Sequence, residues 1–356
     1  HAPDQSPKSR ELLTLTPLPA AIPEVDCNEQ DLLDAINAHT GPFVVRGLAN
    51  VWPAAQLGDD PMACISYLES FAVDRPVTAL QTNADQQGKI GYSSDFSGFN
   101  FEAERKPLRA FLNDLRRQLD ASKPEEGLYL GSTNIDHWFP GFRAINGFSR
   151  LDTMDPLVSL WLGTKSHISA HFDFPSNLAT VIFGERQFTL YPPDMVGNLY
   201  VGPMERTPAG QPISLTDTDY PHDDRYPGLE VALEHALQAT LGPGDAIYIP
   251  SLWWHEIKSR APLNGLVNYW WRANPAYFGS PFTALQHLTF ALRSLPKAER
   301  ERWRPIIEHY IFGPEEVVAG HIPDTARGIL ESPNREEATL FKRFVANQLS
   351  PGNHSS

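Results

Sequence analysis

Cysteine is scarce in this sequence, with Cys27 and Cys64 as the only two among 356 residues. Neither has another cysteine or a histidine at the spacing of a metal finger, which excludes a disulfide framework and a cysteine-rich zinc module. No apolar run approaches the roughly 18 residues that cross a bilayer, and the chain starts without a basic segment followed by an apolar one. These absences predict a cytoplasmic protein without a membrane partner.

Basic residues are also in short supply. The chain has 29 Lys and Arg against 43 Asp and Glu, a formal net charge of −14. Because nucleic-acid binding depends on clustered cations that neutralise phosphates, we expect no nucleic-acid partner. With 41% hydrophobic residues, the chain can bury the core of one large or two modest domains.

Turn-forming residues divide the chain into segments that differ in composition and in predicted secondary structure. Residues 1–25 are rich in Pro and Ser and predict an extended or mobile arm, followed by one functional domain over 26–275 and a helical region over 276–350. A β-core of about 155–275 is interrupted by a polar excursion at 192–236. Eight short runs in this core predict the strands of a sandwich or barrel: 157–163, 167–174, 178–184, 186–191, 237–241, 245–250, 255–259 and 265–272.

Helical periodicity frames this core on both sides. N-terminal helices are predicted at 29–38, 61–71 and 107–119, with short strands at 43–45 and 76–81 between them, and C-terminal helices at 282–292, 298–312 and 336–349. The predicted fold class is therefore mainly β with flanking α elements.

The triplet His171-Phe172-Asp173 is the first candidate site. In an extended strand residues i and i+2 project to the same face, so His171 and Asp173 can converge on one point. A chain of ordinary composition contains about one such triplet by chance, so the triplet alone is weak evidence. His167 shares the parity of His171 and could face the same cavity, but we expect it to be a core or supporting residue rather than a ligand.

A third candidate ligand, His255, begins a later predicted strand. The turn at 242–245 leads into an apolar strand, a Pro-Ser corner and then Trp253-Trp254-His255, a layout that delivers the histidine from a neighbouring strand. Two imidazoles and one carboxylate on one face of a metal leave its other positions open, as mononuclear non-haem iron(II) oxygenases require. The sequence therefore predicts a metal site formed by His171, Asp173 and His255.

The blocks around these residues resemble those of the Jumonji C and cupin-like iron(II), 2-oxoglutarate-dependent oxygenases. The layout is similar to that of the asparaginyl hydroxylase that acts on hypoxia-inducible factor, and the resemblance runs over most of the chain. Its long blocks are specific, whereas its single residues are not. The matching segments are 42–48, 52–53, 128–130, 171–173, 177, 184–186, 190–194, 244–255 and 268–270.

This resemblance implies a double-stranded β-helix (cupin or jelly-roll) with iron(II) at one open end and 2-oxoglutarate and O2 as cosubstrates. Arg186 takes the place of the family's lysine, and Tyr129 that of a hydroxyl donor, for the far carboxylate of 2-oxoglutarate. Asn177 and Asn268 take the places of amides near the iron. A guanidinium can grip a carboxylate with two parallel hydrogen bonds where an ammonium makes a point contact. Ile168 is a second departure, since the similar hydroxylase has a threonine there.

Taken by themselves, these residues leave other interpretations open. Arg186 lies in a Gly-Glu-Arg-Gln turn and could be a solvated hairpin charge, and Tyr129 could be an ordinary core tyrosine. Asn177 and Asn268 could simply satisfy backbone groups.

The resemblance implies a dioxygenase that hydroxylates a protein or peptide, with no catalytic residue beyond the metal ligands. A demethylase that uses the same chemistry is one alternative. The other is a non-catalytic cupin-like module that binds a metal or small ligand, which Ile168 and the Arg-for-Lys exchange favour. The resemblance also implies a homodimer through the C-terminal helices, whose apolar residues, such as Leu285 and Leu288, need a partner surface or the protein's own β-core.

Overall fold

The structure is a computed structural model that describes residues 17–122 and 126–350, and these residues contain two β-sheets. Residues 1–16 of the predicted arm lie outside these ranges. In chain order the strands are β1 (Ala20–Ala21), β2 (Phe43–Val45), β3 (Pro76–Asn83), β4 (Lys89–Ile90), β5 (Glu102–Pro107), β6 (Glu126–Asn134), β7 (Leu157–Gly163), β8 (Ser166–Phe172), β9 (Ser176–Phe183), β10 (Arg186–Tyr191), β11 (Leu237–Leu241), β12 (Ala246–Ile249), β13 (Trp254–Ser259) and β14 (Asn264–Trp271).

Helices flank the sheets in the sequence. They are α1 (Leu32–Ala38), α2 (Pro61–Glu69), α3 (Leu108–Asp120), α4 (Ile135–Trp138), α5 (Phe142–Ile145), α6 (Leu229–Glu234), α7 (Pro281–Arg293), α8 (Lys297–Ile307), α9 (Glu315–Val318) and α10 (Arg335–Leu349). Local sequence explains several starts: the Asp60 carboxylate caps α2, and Asn334 with Glu337 forms the capping box of α10. Within the described ranges, no helix is long and apolar enough to span a bilayer.

The described residues divide into two compact units, which adjoin in the sequence between Trp271 and Arg272. The first unit holds all the strands named above and α1 to α6, and the second holds α7 to α10. The functional limits at 26–275 and 276–350, like the cytoplasmic location, stay predictions.

Each sheet is built around strands of the β-core. One has the order β1-β11-β10-β13-β8-β4, and the other has the order β2-β12-β9-β14-β7-β6-β3-β5. The eight predicted core strands coincide with β7 to β14 within two residues at each end. The mainly β fold with flanking helices is thus confirmed, and the N-terminal strands β3, β5 and β6 widen the second sheet beyond the core.

Three apolar clusters define the layers of the first unit. Between the sheets lie inward-facing side chains such as Val181, Phe188 and Leu266. On the outer face of the eight-stranded sheet, helix α3 contributes Phe111 to the largest cluster. On the outer face of the six-stranded sheet, residues of the 192–236 excursion pack against Trp254, Tyr191 and Ala170. Each fully buried large apolar side chain stabilises such a cluster by about 1.5–3 kcal/mol.

A β-bulge interrupts the pairing of β8 with β13. His171 pairs with His255 and Ile168 pairs with Ile257, so three steps along β8 match two steps along β13. The extra residue reverses the inward and outward alternation of β8 on the two sides of the bulge. His171 and Ile168 consequently face the inside of the sandwich, whereas His167 faces outward.

Candidate metal centre

The three predicted metal ligands meet at one open end of the two sheets. His171 lies near the end of β8, Asp173 directly follows this strand, and His255 is the second residue of β13. One nitrogen of each histidine and one oxygen of the carboxylate all lie within 4.8 Å of one another. His255 Nε2 is 3.4 Å from Asp173 Oδ2. All three side chains are therefore within reach of a single ion.

Backbone carbonyls fix the orientation of both imidazoles. His171 Nδ1 donates to the Ser169 carbonyl at 2.9 Å, and His255 Nδ1 donates to the Trp253 carbonyl at 3.0 Å. Because a carbonyl can only accept, Nδ1 carries the proton in each ring and Nε2 keeps its lone pair. This is the tautomer that a metal ligand needs.

Burial sets the charge state of the group. It lowers the pKa of His171 to about 4, with help from the neighbouring His255, so this imidazole is neutral at physiological pH. Burial alone would raise the pKa of Asp173, but its contacts with His255 and His171 more than offset this effect, and the pKa lies below its ordinary value. Asp173 thus offers an anionic oxygen and His171 a neutral imidazole nitrogen, and such donors suit a divalent transition metal.

Local backbone features bring β13 to this point. Gly244 has φ +92, and a Cβ there would lie 2.1 Å from Asn50 Oδ1, so the turn before β12 requires glycine. Leu252 in the corner before β13 also has a positive φ of +67. Its N–H donates to the Asp173 carbonyl at 2.8 Å, which ties the corner to the metal-ligand segment.

Arg186 lies inside the sandwich, not at its surface. Its residue is only 2% exposed, so the interpretation as a solvated hairpin charge is wrong. Gly184, with φ +69 and a Cβ position 2.3 Å from the Leu263 carbonyl oxygen, makes the tight turn that directs β10 inward. Arg186 donates to the Trp161 carbonyl at 3.3 Å and hydrogen bonds with Tyr129.

Within the described residues, no carboxylate pairs with Arg186. Burial lowers its pKa, while Tyr129 opposes the shift, and burial raises the pKa of Tyr129 to about 12. Arg186 Nε and the hydroxyl of Ser259, its neighbour across the sheet, have no hydrogen-bond partner among the described residues. A buried cation beside an unpaired hydroxyl is costly unless an anion joins them, so this corner fits a ligand carboxylate. Sequence inspection missed Ser259.

A chain of side-chain hydrogen bonds lines the space between the predicted metal ligands and Arg186. Trp161 Nε1 donates to Asn268 Oδ1 at 2.8 Å, and Asn268 Nδ2 donates to Asn177 Oδ1 at 3.3 Å. Both asparagines are buried on the inner face of the eight-stranded sheet. Their side chains contact each other and a cavity tryptophan, so the interpretation as groups that only satisfy backbone polar atoms is wrong.

Gln211 is a further residue that the sequence did not single out. It lies in the 192–236 excursion, and its Nε2 donates to Asp173 Oδ1 at 2.7 Å. The other carboxylate oxygen, Oδ2, is the one near His255. Gln211 therefore orients the carboxylate while leaving Oδ2 for a metal, the arrangement by which neighbouring groups position metal ligands.

Replacing Gln211 by alanine should weaken metal affinity by about 10–100-fold, because the carboxylate loses the contact that orients it. Titration with Co(II), followed by its visible spectrum, measures this change. Gln238→Ala is a matched control, since Gln238 makes a hydrogen bond of similar length to Thr189 away from the site. Equal affinities of the two variants would show that Gln211 does not position Asp173.

The parity prediction for His167 is wrong, because the bulge in β8 turns this residue outward. His167 Nε2 instead contacts Glu256 Oε1 at 2.6 Å in a buried pair, so its assignment as a satisfied core residue is correct. Asp217 and Asp219 lie nearby, but lysines already neutralise them: Lys89 pairs with Asp217, and Lys258 with Asp219. This second cluster anchors the excursion to the sheet.

The fold and the donor set together define a cupin-like protein with a candidate mononuclear metal centre. A family model described as a cupin-like domain matches residues 29–277, which is most of the chain. The chain belongs to this cupin-like, Jumonji C family.

Relatives with curated names extend this assignment. The chain is 26% identical over 257 residues to the lysine-specific demethylase JMJ31 of Arabidopsis thaliana, covering 65% of this chain and 46% of that protein. It is 31% identical over 169 residues to JMJ32 of the same plant, covering 39% and 48%. HSPB1-associated protein 1 of Homo sapiens is 30% identical over 116 residues, covering 32% and 23%. The matches thus span less than half of each relative.

Proposed function

We propose that this chain is an iron(II)- and 2-oxoglutarate-dependent dioxygenase that hydroxylates a side chain of a protein or peptide. The observation that carries the proposal is the presence of two complementary corners inside one sandwich. The His171, Asp173 and His255 group suits a divalent metal with open positions, and the buried Arg186 suits the far carboxylate of a dicarboxylate. A module that only binds a metal would not need the second corner.

Each part of the cavity has a role under this proposal. Iron(II) with 2-oxoglutarate and O2 supplies C–H hydroxylation, with release of carbon dioxide and succinate. His171, Asp173 and His255 would hold the metal in the tautomers and charge states described above. The protein contributes fixed ligand geometry and a cavity from which bulk water is kept.

The cosubstrate would be held at both ends. Arg186, Tyr129 and Ser259 would bind the far carboxylate, and the neutral phenol of Tyr129 can donate to it. Asn177 and Asn268 would contact the end of 2-oxoglutarate that lies near the metal. Ile168 pairs with Ile257 on the inner face and offers no hydroxyl. Ser259, opposite Arg186, can supply the hydroxyl that Ile168 lacks.

Demethylation is the second candidate, and the printed names of JMJ31 and JMJ32 favour it. Hydroxylation of an N-methyl carbon gives a product that releases formaldehyde, so the same metal centre can serve either outcome. Because the chain spans less than half of these relatives, lysine demethylation is proposed for it only as an alternative to hydroxylation.

Anaerobic addition of iron(II) and 2-oxoglutarate to the purified protein should produce the weak visible charge-transfer band of a chelate. Admission of O2 should then form succinate.

Incubation with lysate of the source organism and mass spectrometry should reveal proteins that gain one oxygen atom, whereas a demethylase would release formaldehyde from a trimethyl-lysine peptide. Absence of the band, with tight binding of another ligand, would favour the non-catalytic module.

The second unit supports a proposal about oligomeric state. Apolar side chains on its helices are exposed, among them Leu285 (48%), Phe290 (80%) and Phe344 (58%). We propose that these faces join two copies of the chain. Light scattering should give the mass of two chains, and Phe290→Arg should shift it towards one. A single-chain mass for the unmodified protein would contradict the proposal.

A further inference from the structure

An ordered loop rich in aromatic residues follows the edge strand β4. This aromatic loop, residues 91–101, closes on itself through a hydrogen bond from Ser93 N to the Gly98 carbonyl at 2.9 Å and a bridge between Tyr92 and Phe99. The Asn100 side chain ties the two ends of the loop together, since it accepts from Gly91 N and donates to the Lys89 carbonyl. These bonds fix how the aromatic side chains are presented.

The rings of this loop are presented to solvent rather than buried. Phe96 is 45% exposed and Phe99 is 39% exposed, and the ring of Tyr92 lies 5.4 and 5.7 Å from theirs. Phe96 also has φ +58, a conformation unfavourable for residues other than glycine. A cluster of exposed aromatics on strained backbone marks a binding surface, because it contributes little to a core.

The aromatic loop forms one wall of a cavity of about 760 Å³. Ser169 of β8 and Ile213 of the excursion line its other walls. The Ser169 carbonyl holds the ring of His171, and Gln211, two residues before Ile213, contacts Asp173. A molecule in this cavity would therefore contact Ser169, which supports His171, and would lie near the segment that carries Gln211.

The cations that line the cavity are already neutralised. Lys89 pairs with Asp217, and Arg225 pairs with Asp223 at 2.6 Å.

Two acidic side chains beside the exposed rings remain unbalanced. Glu102 lines the cavity, and neither it nor Asp95 forms an ion pair within the described part of the chain. Hydrogen bonds from Ser97 and Ser93 lower the pKa of Asp95 to about 2, so this carboxylate is anionic at physiological pH. Negative charge next to aromatic faces attracts cations, in a chain that is already acidic overall.

We propose that this cavity docks a basic, extended segment of the polypeptide substrate, with a lysine or arginine side chain held against Phe96 and Phe99 and near Glu102. The inference rests on the proposed function, because it specifies the substrate class of that reaction. The ring faces supply cation–π attraction and the carboxylates supply charge complementarity. The segment would then lead its reacting residue past Ser169 towards the metal ligands.

The test uses two fluorescein-labelled peptides and the full chain. One peptide has three Gly-Lys-Ser-Arg repeats, and in the other glutamate and aspartate replace the cations. Fluorescence anisotropy should show binding of the basic peptide only. Phe96→Ala should raise its Kd about five-fold or more, and the double variant with Phe99→Ala about ten-fold or more. Glu102→Gln should weaken binding and reduce its dependence on salt.

Matched variants separate docking from general attraction to an acidic protein. Ile145→Ala removes a similarly exposed apolar side chain, and Asp34→Asn an exposed carboxylate, elsewhere in the first unit. Both should leave the Kd unchanged. Equal binding by Phe96→Ala and the unmodified protein, equal or tighter binding of the acidic peptide, or no binding of either peptide would overturn the proposal.

The outcomes also distinguish this inference from the proposed function. Peptide binding is measured without metal or 2-oxoglutarate, whereas the function is judged by the charge-transfer band and succinate. A normal band with peptide binding insensitive to Phe96 would reject only the docking site. Binding that depends on Phe96, without a band, would reject only the oxygenase.

Discussion

A His171→Ala variant is expected to lose metal binding and succinate formation while keeping its fold. The imidazole is one of three donors, and Asp173 and His255 alone would leave the metal with two protein ligands. The loss of metal affinity should exceed the about 10–100-fold that follows from removing a group that merely supports a ligand. Calorimetric titration with Co(II) and detection of succinate by NMR measure both effects.

The bulge in β8 provides a matched control for this variant. His167 lies on the same strand and is buried, but it faces away from the site and contacts Glu256. His167→Gln keeps a donor for that carboxylate, so it should retain both metal binding and turnover. Undiminished turnover by purified His171→Ala, or equal losses in the two variants, would contradict the assignment of the metal ligands.

The core strands were predictable because their residues carry the signal themselves. Runs of β-branched and aromatic residues, bounded by Gly, Pro and Asn, match the limits of β7 to β14. The convergence of His171 with Asp173 follows from strand periodicity. The turn at 242–245 indicates the start of β12, and the next strand carries His255. These features depend on neighbours in sequence, which a single sequence displays.

The orientation of His167 was not predictable, because a bulge depends on cross-strand pairing. Counting along β8 alone places His167 and His171 on the same face. Only the register with β13, in which three residues oppose two, reveals the reversal. Parity arguments along one strand therefore fail wherever a bulge falls between the two residues compared.

Residues that act through tertiary contacts were missed for a similar reason. Gln211 lies in an excursion without periodicity, and its contact with Asp173 depends on how that segment folds back over the sheet. Ser259 meets Arg186 only through the pairing of β13 with β10. Both residues have common side chains and no motif of their own, so no signal in a single sequence distinguishes them.

Arg186→Met is expected to weaken 2-oxoglutarate binding and to stabilise the free protein, two effects of opposite sign. Methionine keeps the apolar stem but removes a buried charge that lacks a carboxylate partner in the described structure, and the loss of such a charge is neutral or favourable for folding. For the cosubstrate, the loss of a charge-assisted anchor should raise Kd roughly 100-fold. Thermal melting and titration of the charge-transfer band measure the two effects separately.

A graded pair of substitutions tests whether the fork of Arg186 matters beyond its charge. Arg186→Lys keeps the positive charge but loses the bidentate geometry, and Ile168 offers no hydroxyl to assist an ammonium group, so its Kd should lie between those of the unmodified protein and Arg186→Met. Ser259→Ala should cause a smaller rise, because it removes one neutral hydrogen bond. An unchanged Kd in Arg186→Met, with the fold intact, would show that the carboxylate anchor lies elsewhere. If Arg186→Met lowered the melting temperature and left the Kd unchanged, Arg186 would be a structural residue. A cation that is kept for an anionic ligand should instead destabilise the free protein.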